Sequence, residues 1–70
     1  MAALTLAIDG MTCDHCKMTV TKALMGVEGV KTAQVSLEDA RADVEFDPAR
    51  VSVEALVQAV DEEGYGAHAL

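Results

Sequence analysis

Apolar residues change their spacing along this chain from every second position to every third and fourth, then back, twice over. That switching constrains the fold more than any other feature. Ala3 to Ile8 sets Leu4, Leu6 and Ile8 on one face, the period-two pattern of a half-buried strand. Asp9 and Gly10 end it, and Met11 to Cys16 reads as a loop. From Cys16 the period is helical: Val20, Ala23, Leu24 and Val27 fall at i, i+3, i+4 and i+7. Gly26 and Gly29 are expected to close this helix near Met25, through the left-handed C-cap that glycine tolerates. Val30 to Leu37 alternates again, with Ala33, Val35 and Leu37 on one face. After Glu38 and Asp39, residues Ala40, Ala42, Val44 and Phe46 alternate with Arg41, Asp43 and Glu45. Two strands so closely spaced predict an antiparallel hairpin. Asp47-Pro48 breaks the ladder and Ser52 offers an N-cap. Val53, Leu56, Val57 and Val60 repeat the helical stripe, Gly64 ends it, and Tyr65 to Leu70 reads as a last strand at a sheet edge.

The order is βαββαβ, an α+β arrangement. A four-stranded antiparallel sheet with both helices on one face is the simple way to bury two helical stripes and one strand face. Seventy residues make one domain, 1–70. With no Trp, and Tyr65 and Phe46 as the only aromatics, the core must be aliphatic. Such a core leaves little space for an organic substrate, which argues against an enzyme. A formal charge of −7 removes the counterion-release term that drives nucleic-acid binding. The same charge disfavours anionic membrane surfaces. No run approaches the roughly 18 apolar residues of a membrane span, and the N-terminus lacks a basic leader region. The chain therefore reads as cytoplasmic. Starting at Met1 and ending soon after Gly64-Tyr65, it also reads as a whole protein.

In a reducing compartment two cysteines are not expected to form a structural disulfide. Cys13 and Cys16 sit where a loop enters a helix, and free amide groups with partial positive charge lower a thiol's pKa there. Lys17 either adds to that effect or is simply a solvated lysine, and Asp14 is a candidate helix cap. The two-residue spacer lets both sulfurs point to one side as a bidentate pair. Soft thiolates select soft ions such as Cu(I), which accepts low coordination numbers, whereas structural zinc wants four protein ligands. A redox dithiol is the rival reading. Against it stand Thr12 rather than an aromatic before the first cysteine, and a sole proline placed in a turn. Met11, Met18 and Met25 read as apolar filler or surface rather than ligands. His15 is expected to point outward between the cysteines. A Cys2His2 zinc site recruiting His68 as well is the less favoured alternative.

Gly10-Met11-Thr12-Cys13-Asp14-His15-Cys16 resembles the GMTCxxC signature of the heavy-metal-associated domain family. That family includes bacterial copper chaperones, the N-terminal domains of metal-transporting P-type ATPases, and mercury-binding proteins. The resemblance extends through Gly26-Val27-Glu28-Gly29-Val30, the alternating hairpin and Gly64-Tyr65. It implies a ferredoxin-like fold with one metal ion held by Cys13 and Cys16. It also implies a methionine, here Met11, packed under the metal loop, and a loop bearing Tyr65 that faces the sulfurs. Thr12 and His15 join Tyr65 as candidate groups around them. The function so implied is a copper chaperone: Cu(I) is passed by ligand exchange to a metal-transporting P-type ATPase or a copper-sensing regulator. The apo form is expected to be a monomer, with a metal-bridged dimer as an alternative when loaded. Hg(II) is the rival cargo, which a phenylalanine in place of Tyr65 would have favoured, and Zn(II) is a further possibility.

Overall fold

The computed structural model describes residues 2–70. The alternating segments become strands β1 (Ala2–Asp9), β2 (Val30–Ser36), β3 (Arg41–Phe46) and β4 (Gly66–Ala69). The helical stripes become α1 (Asp14–Met25) and α2 (Val53–Asp61). All strand pairs are antiparallel and the sheet order is β2-β3-β1-β4. The two central strands register Leu4 against Val44 and Leu6 against Ala42, so their apolar faces coincide. Leu6, Ile8, Ala42, Val44 and Phe46 from this face are buried against Val20 and Leu24 of α1 and Leu56 and Val60 of α2. The expected fold is present: both helices lie on one face of the sheet.

Several local details differ from the sequence reading. The first helix begins at Asp14, with Cys13 itself as N-cap and no side-chain capping bond, so Asp14 occupies the first turn rather than the cap. Gly26 is right-handed, with φ −78°. The left-handed residue is Gly29, with φ +100°, where a Cβ would lie 3.0 Å from Arg50 Cβ. Chain reversal thus needs glycine three residues later than the helix end suggested. Val51, outside either stripe, joins the core at 7% exposure because the turns after Asp47 fold it inward. Val53, at the start of the second stripe, stays 37% exposed. Ser52 caps α2 as expected, its hydroxyl accepting from the Ala55 amide at 3.2 Å. The last strand starts at Gly66, with Tyr65 in the preceding loop.

The hairpin turn also closes differently. Ala40 is not the first residue of β3; it takes φ +53° and ends the turn, its amide donating to Leu37 O at 3.3 Å. Its carbonyl accepts from the Ile8 amide at 2.8 Å. A left-handed alanine costs about 1 kcal/mol relative to glycine there. Ala40→Gly is therefore expected to raise stability by up to about 1 kcal/mol, partly offset by the larger unfolded-state entropy of glycine. A urea melt of the variant checks this, and a lower midpoint would contradict the strain.

Topology decides what meets at each end of the sheet. β1 ends where β4 begins, with Asp9 opposite Gly66. The Ile8–Ala40 bond brings the β2–β3 turn to the same end. The start of α1 and the end of α2 lie there too, because one helix follows β1 and the other precedes β4. Among the described residues no helix is long and apolar enough to cross a membrane.

Candidate metal centre

At that end of the sheet the chain leaves β1 through Gly10, whose φ of +95° few side chains tolerate. The turn sends Met11 back toward the core, where it is half-buried against the apolar cluster. Its side chain is therefore part of the apolar packing. Thr12 and Cys13 then emerge into solvent, and Cys16 follows one turn along α1, half-buried. The two sulfurs are 3.6 Å apart as free thiols. Thr12 Oγ1 lies 3.9 Å from Cys16 Sγ, a long contact even for sulfur.

The sulfurs stand at a separation a metal can bridge. With metal–thiolate bonds of about 2.3 Å, a span of 3.6 Å corresponds to an S–metal–S angle of about 100°. A linear complex needs about 4.6 Å, so the loop would open by about 1 Å. Because Cys13 makes no side-chain capping bond, no bond of that kind must break for it to move. Among the described residues no cluster of three or more His, Cys, Asp or Glu side chains could hold a metal ion.

Cys16 is acidified, by a backbone amide and by the Tyr65 hydroxyl. Its pKa falls from 9.0 to about 6. The largest cause is the backbone amide of Thr12, followed by the Tyr65 hydroxyl and the Cys13 thiol; partial burial opposes them. Lys17 is not among the causes. The Tyr65 hydroxyl is correspondingly raised, chiefly because it bonds Cys16, with smaller contributions from burial and from the Cys16, Cys13 and Glu63 charges. Its ring packs on the core, and a Cβ at Gly10 would lie 3.4 Å from its Cδ1. Tyr65 is thus both core and site.

His15 is exposed, and its carbonyl accepts from Thr19 Oγ1 at 3.0 Å. His68 lies on β4 opposite Ala7, exposed, while its neighbour Ala67 packs on the core. His68 therefore projects from the open face of the sheet, so the two histidines and two cysteines do not converge. Met18 and Met25 are exposed on α1. What the sequence reading missed was the role of the Thr12 amide, since a backbone donor leaves no mark in residue identity.

Two results at Cys16 follow. In pH-dependent alkylation resolved by peptide mapping, its reactivity should rise with a midpoint at about 6. Tyr65→Phe should move that midpoint upward by removing a donor to the thiolate; an unchanged midpoint would show that the hydroxyl does not act on Cys16. The same depression links to folding. The stability it contributes is fully present above the unfolded pKa of 9.0 and is lost as pH falls through about 6. Tyr65 has the opposite sign: its raised pKa supports the fold below 10 and its contribution fades as pH rises above that.

A family model for the heavy-metal-associated domain matches residues 5–66. A copper chaperone, CopZ of Staphylococcus saprophyticus, is 43% identical over 65 residues, covering 93% of this chain and 96% of its own. A CopZ of Staphylococcus aureus is 37% identical over the same shares. Among solved structures, a copper-binding domain of the P-type ATPase HMA7 superposes with a TM-score of 0.98 at 40% identity, covering 100% of this chain and 95% of that one. Oxidized MerP from Ralstonia metallidurans superposes at 0.94 with 41% identity, covering 97% and 94%.

Proposed function

The chain belongs to the heavy-metal-associated domain family, and from that premise we propose that it carries one Cu(I) ion, bound as a dithiolate by Cys13 and Cys16, and delivers it by ligand exchange. The observation that carries this reading is the pair of accessible sulfurs 3.6 Å apart, one of them acidified to about 6. Cys16 is a thiolate at neutral pH, so Cu(I) displaces little proton from it. Two soft sulfurs satisfy Cu(I) and leave it open to attack. An incoming thiolate adds as a third ligand, one of the original bonds lengthens, and the ion moves without ever being free. The Tyr65 hydroxyl donates to Cys16 and Thr12 lies beside it, so both moderate the charge on the departing sulfur. His15 has no assigned bond to the ion and is placed at the rim. No covalent bond of a substrate is made or broken, so the protein acts as a carrier and not as an enzyme.

The recipient is a metal-transporting P-type ATPase, a reading supported by the likeness to the HMA7 domain, and the setting is the cytoplasm, where thiols stay reduced. Hg(II) is the second reading for the cargo, supported by the 41% identity to MerP. Anaerobic titration of the reduced protein with Cu(I) against a chromophoric chelator tests the proposal, followed by the same competition with Hg(II) and Zn(II). One tight Cu(I) equivalent per chain is expected. No tight equivalent would overturn it, and Hg(II) retained where Cu(I) is lost would move the cargo to mercury.

A further inference from the structure

Two short segments meet at the sulfur end of the sheet: Asp9-Gly10, which leaves β1, and Tyr65-Gly66, which enters β4. Each sets a glycine under the other's side chain. A Cβ on Gly66 would lie 3.4 Å from Asp9 Cβ and 3.5 Å from its Oδ2, and a Cβ on Gly10 would lie 3.4 Å from Tyr65 Cδ1. Directly opposed residues of antiparallel strands hold their Cβ atoms about 4.5–5.5 Å apart, so the pair Asp9–Gly66 closes about 1 Å tighter than two side chains normally permit. The backbone of Gly66 does not itself call for glycine, since its φ is not positive. What the missing Cβ provides is the close approach. Gly64 is the reverse case, with φ +91° and nothing within 4 Å of a Cβ placed there.

That approach decides where Tyr65 stands. Its ring lies over Gly10 and its hydroxyl bonds Cys16. A hydrogen bond does not survive a displacement of about 1 Å, so pushing the start of β4 away from Asp9 would part the hydroxyl from the sulfur. We propose that Gly66 and Gly10 are positioning residues for metal transfer: seated under Asp9 and Tyr65, they hold the Tyr65 hydroxyl on Cys16 as a fixed group, and a bulky residue at 66 uncouples it. The proposal rests on the carrier reading above. The hydroxyl stabilises negative charge on Cys16 as that sulfur leaves the metal, so uncoupling it slows transfer.

Gly66→Ala and Gly66→Val test this in the full chain, each made with Tyr65 present and in a Tyr65→Phe background. Valine suits a strand, and circular dichroism establishes that each variant is folded; if Gly66→Val is not, Gly66→Ala carries both readouts at smaller amplitude. The first readout is the rate at which a chelator takes Cu(I) from the loaded protein. Gly66→Val should slow it about tenfold, as Tyr65→Phe does. Gly66→Ala, whose Cβ fits at contact distance, should slow it less. In the Tyr65→Phe background Gly66→Val should add nothing further, because the hydroxyl it acts through is gone. The second readout needs no metal. Tyr65 is the only tyrosine and the chain has no tryptophan, so emission from the apo protein reports this side chain alone. A hydroxyl bonded to a thiolate is quenched by proton transfer in the excited state, so Gly66→Val should brighten the emission at neutral pH. Slowing that persists undiminished without the hydroxyl, or a rate and emission unchanged by Gly66→Val, would overturn the positioning role while leaving the carrier intact. Failure of the wild type to bind Cu(I) would instead overturn the carrier reading and the proposal with it.

Discussion

Cys13→Ser and Cys16→Ser are each expected to weaken Cu(I) binding by on the order of a thousandfold or more. Structural zinc in zinc-finger peptides is worth about 10–16 kcal/mol across four ligands, so losing one of only two sulfurs should remove several kcal/mol. A serine hydroxyl is hard, neutral and a poor ligand for Cu(I). Among the described residues no third His, Cys, Asp or Glu side chain joins the pair to replace the lost sulfur. The two variants should differ in pH dependence. Cys13→Ser keeps the acidified Cys16, although it removes one of the groups that lower its pKa. Cys16→Ser loses the thiolate that is already formed at neutral pH. Neither change touches the core, since Cys13 is exposed and Cys16 only half-buried. Circular dichroism should therefore remain that of the wild type while chelator competition reports the loss. Affinity within about tenfold of wild type in both variants, the size of a change among the surrounding groups only, would place the metal elsewhere.

Leu56→Ala should cost about 2–5 kcal/mol, the range for truncating a fully buried leucine. Leu56 has no exposed surface and lies on the buried stripe of α2 with Val60. At about 0.05–0.15 kcal/mol per residue, a domain of this length has only about 4–10 kcal/mol in total. The variant should unfold at much lower urea concentration, with part of the population unfolded in buffer. A loss below about 1 kcal/mol would mean that the helix is not packed as described. The effect is large because a short chain has few other buried side chains to share the load.

Much of this architecture was legible because the physical signals were local and repeated. Each strand face and helical stripe was written several times over, as in Ala42, Val44 and Phe46 or in Leu56 and Val60, and one misplaced residue does not change a period. The boundaries were less legible. Gly26 and Gly29 were both expected to take the left-handed conformation, and only Gly29 does. Ala40 was read into a strand although it closes a turn, because alternation alone cannot register a positive φ. Val51 entered the core without belonging to any stripe. At the candidate centre, the two cysteines were singled out from residue type and spacing and Met11 from the family resemblance, while Lys17 proves absent from the groups that acidify Cys16 and Asp14 lies in the first helical turn rather than at the cap.

The sequence by itself determined the element order, the apolar faces and the closely spaced pair of cysteines, since these depend on side-chain chemistry at short separations along the chain. The family resemblance pointed to Tyr65 as a neighbour of that pair, but only the tertiary structure decided how its hydroxyl and the Thr12 amide meet Cys16. Tyr65 reaches Cys16 across nearly fifty positions because Asp9 registers against Gly66. The Thr12 amide points at the same sulfur because Gly10 turns the loop back over the core. The hairpin turn and the end of α2 reach the same end of the sheet through strand pairing and helix direction. These are contacts between distant segments. Their geometry follows from how the sheet is registered and how the helices lie on it, which no local pattern of residues encodes.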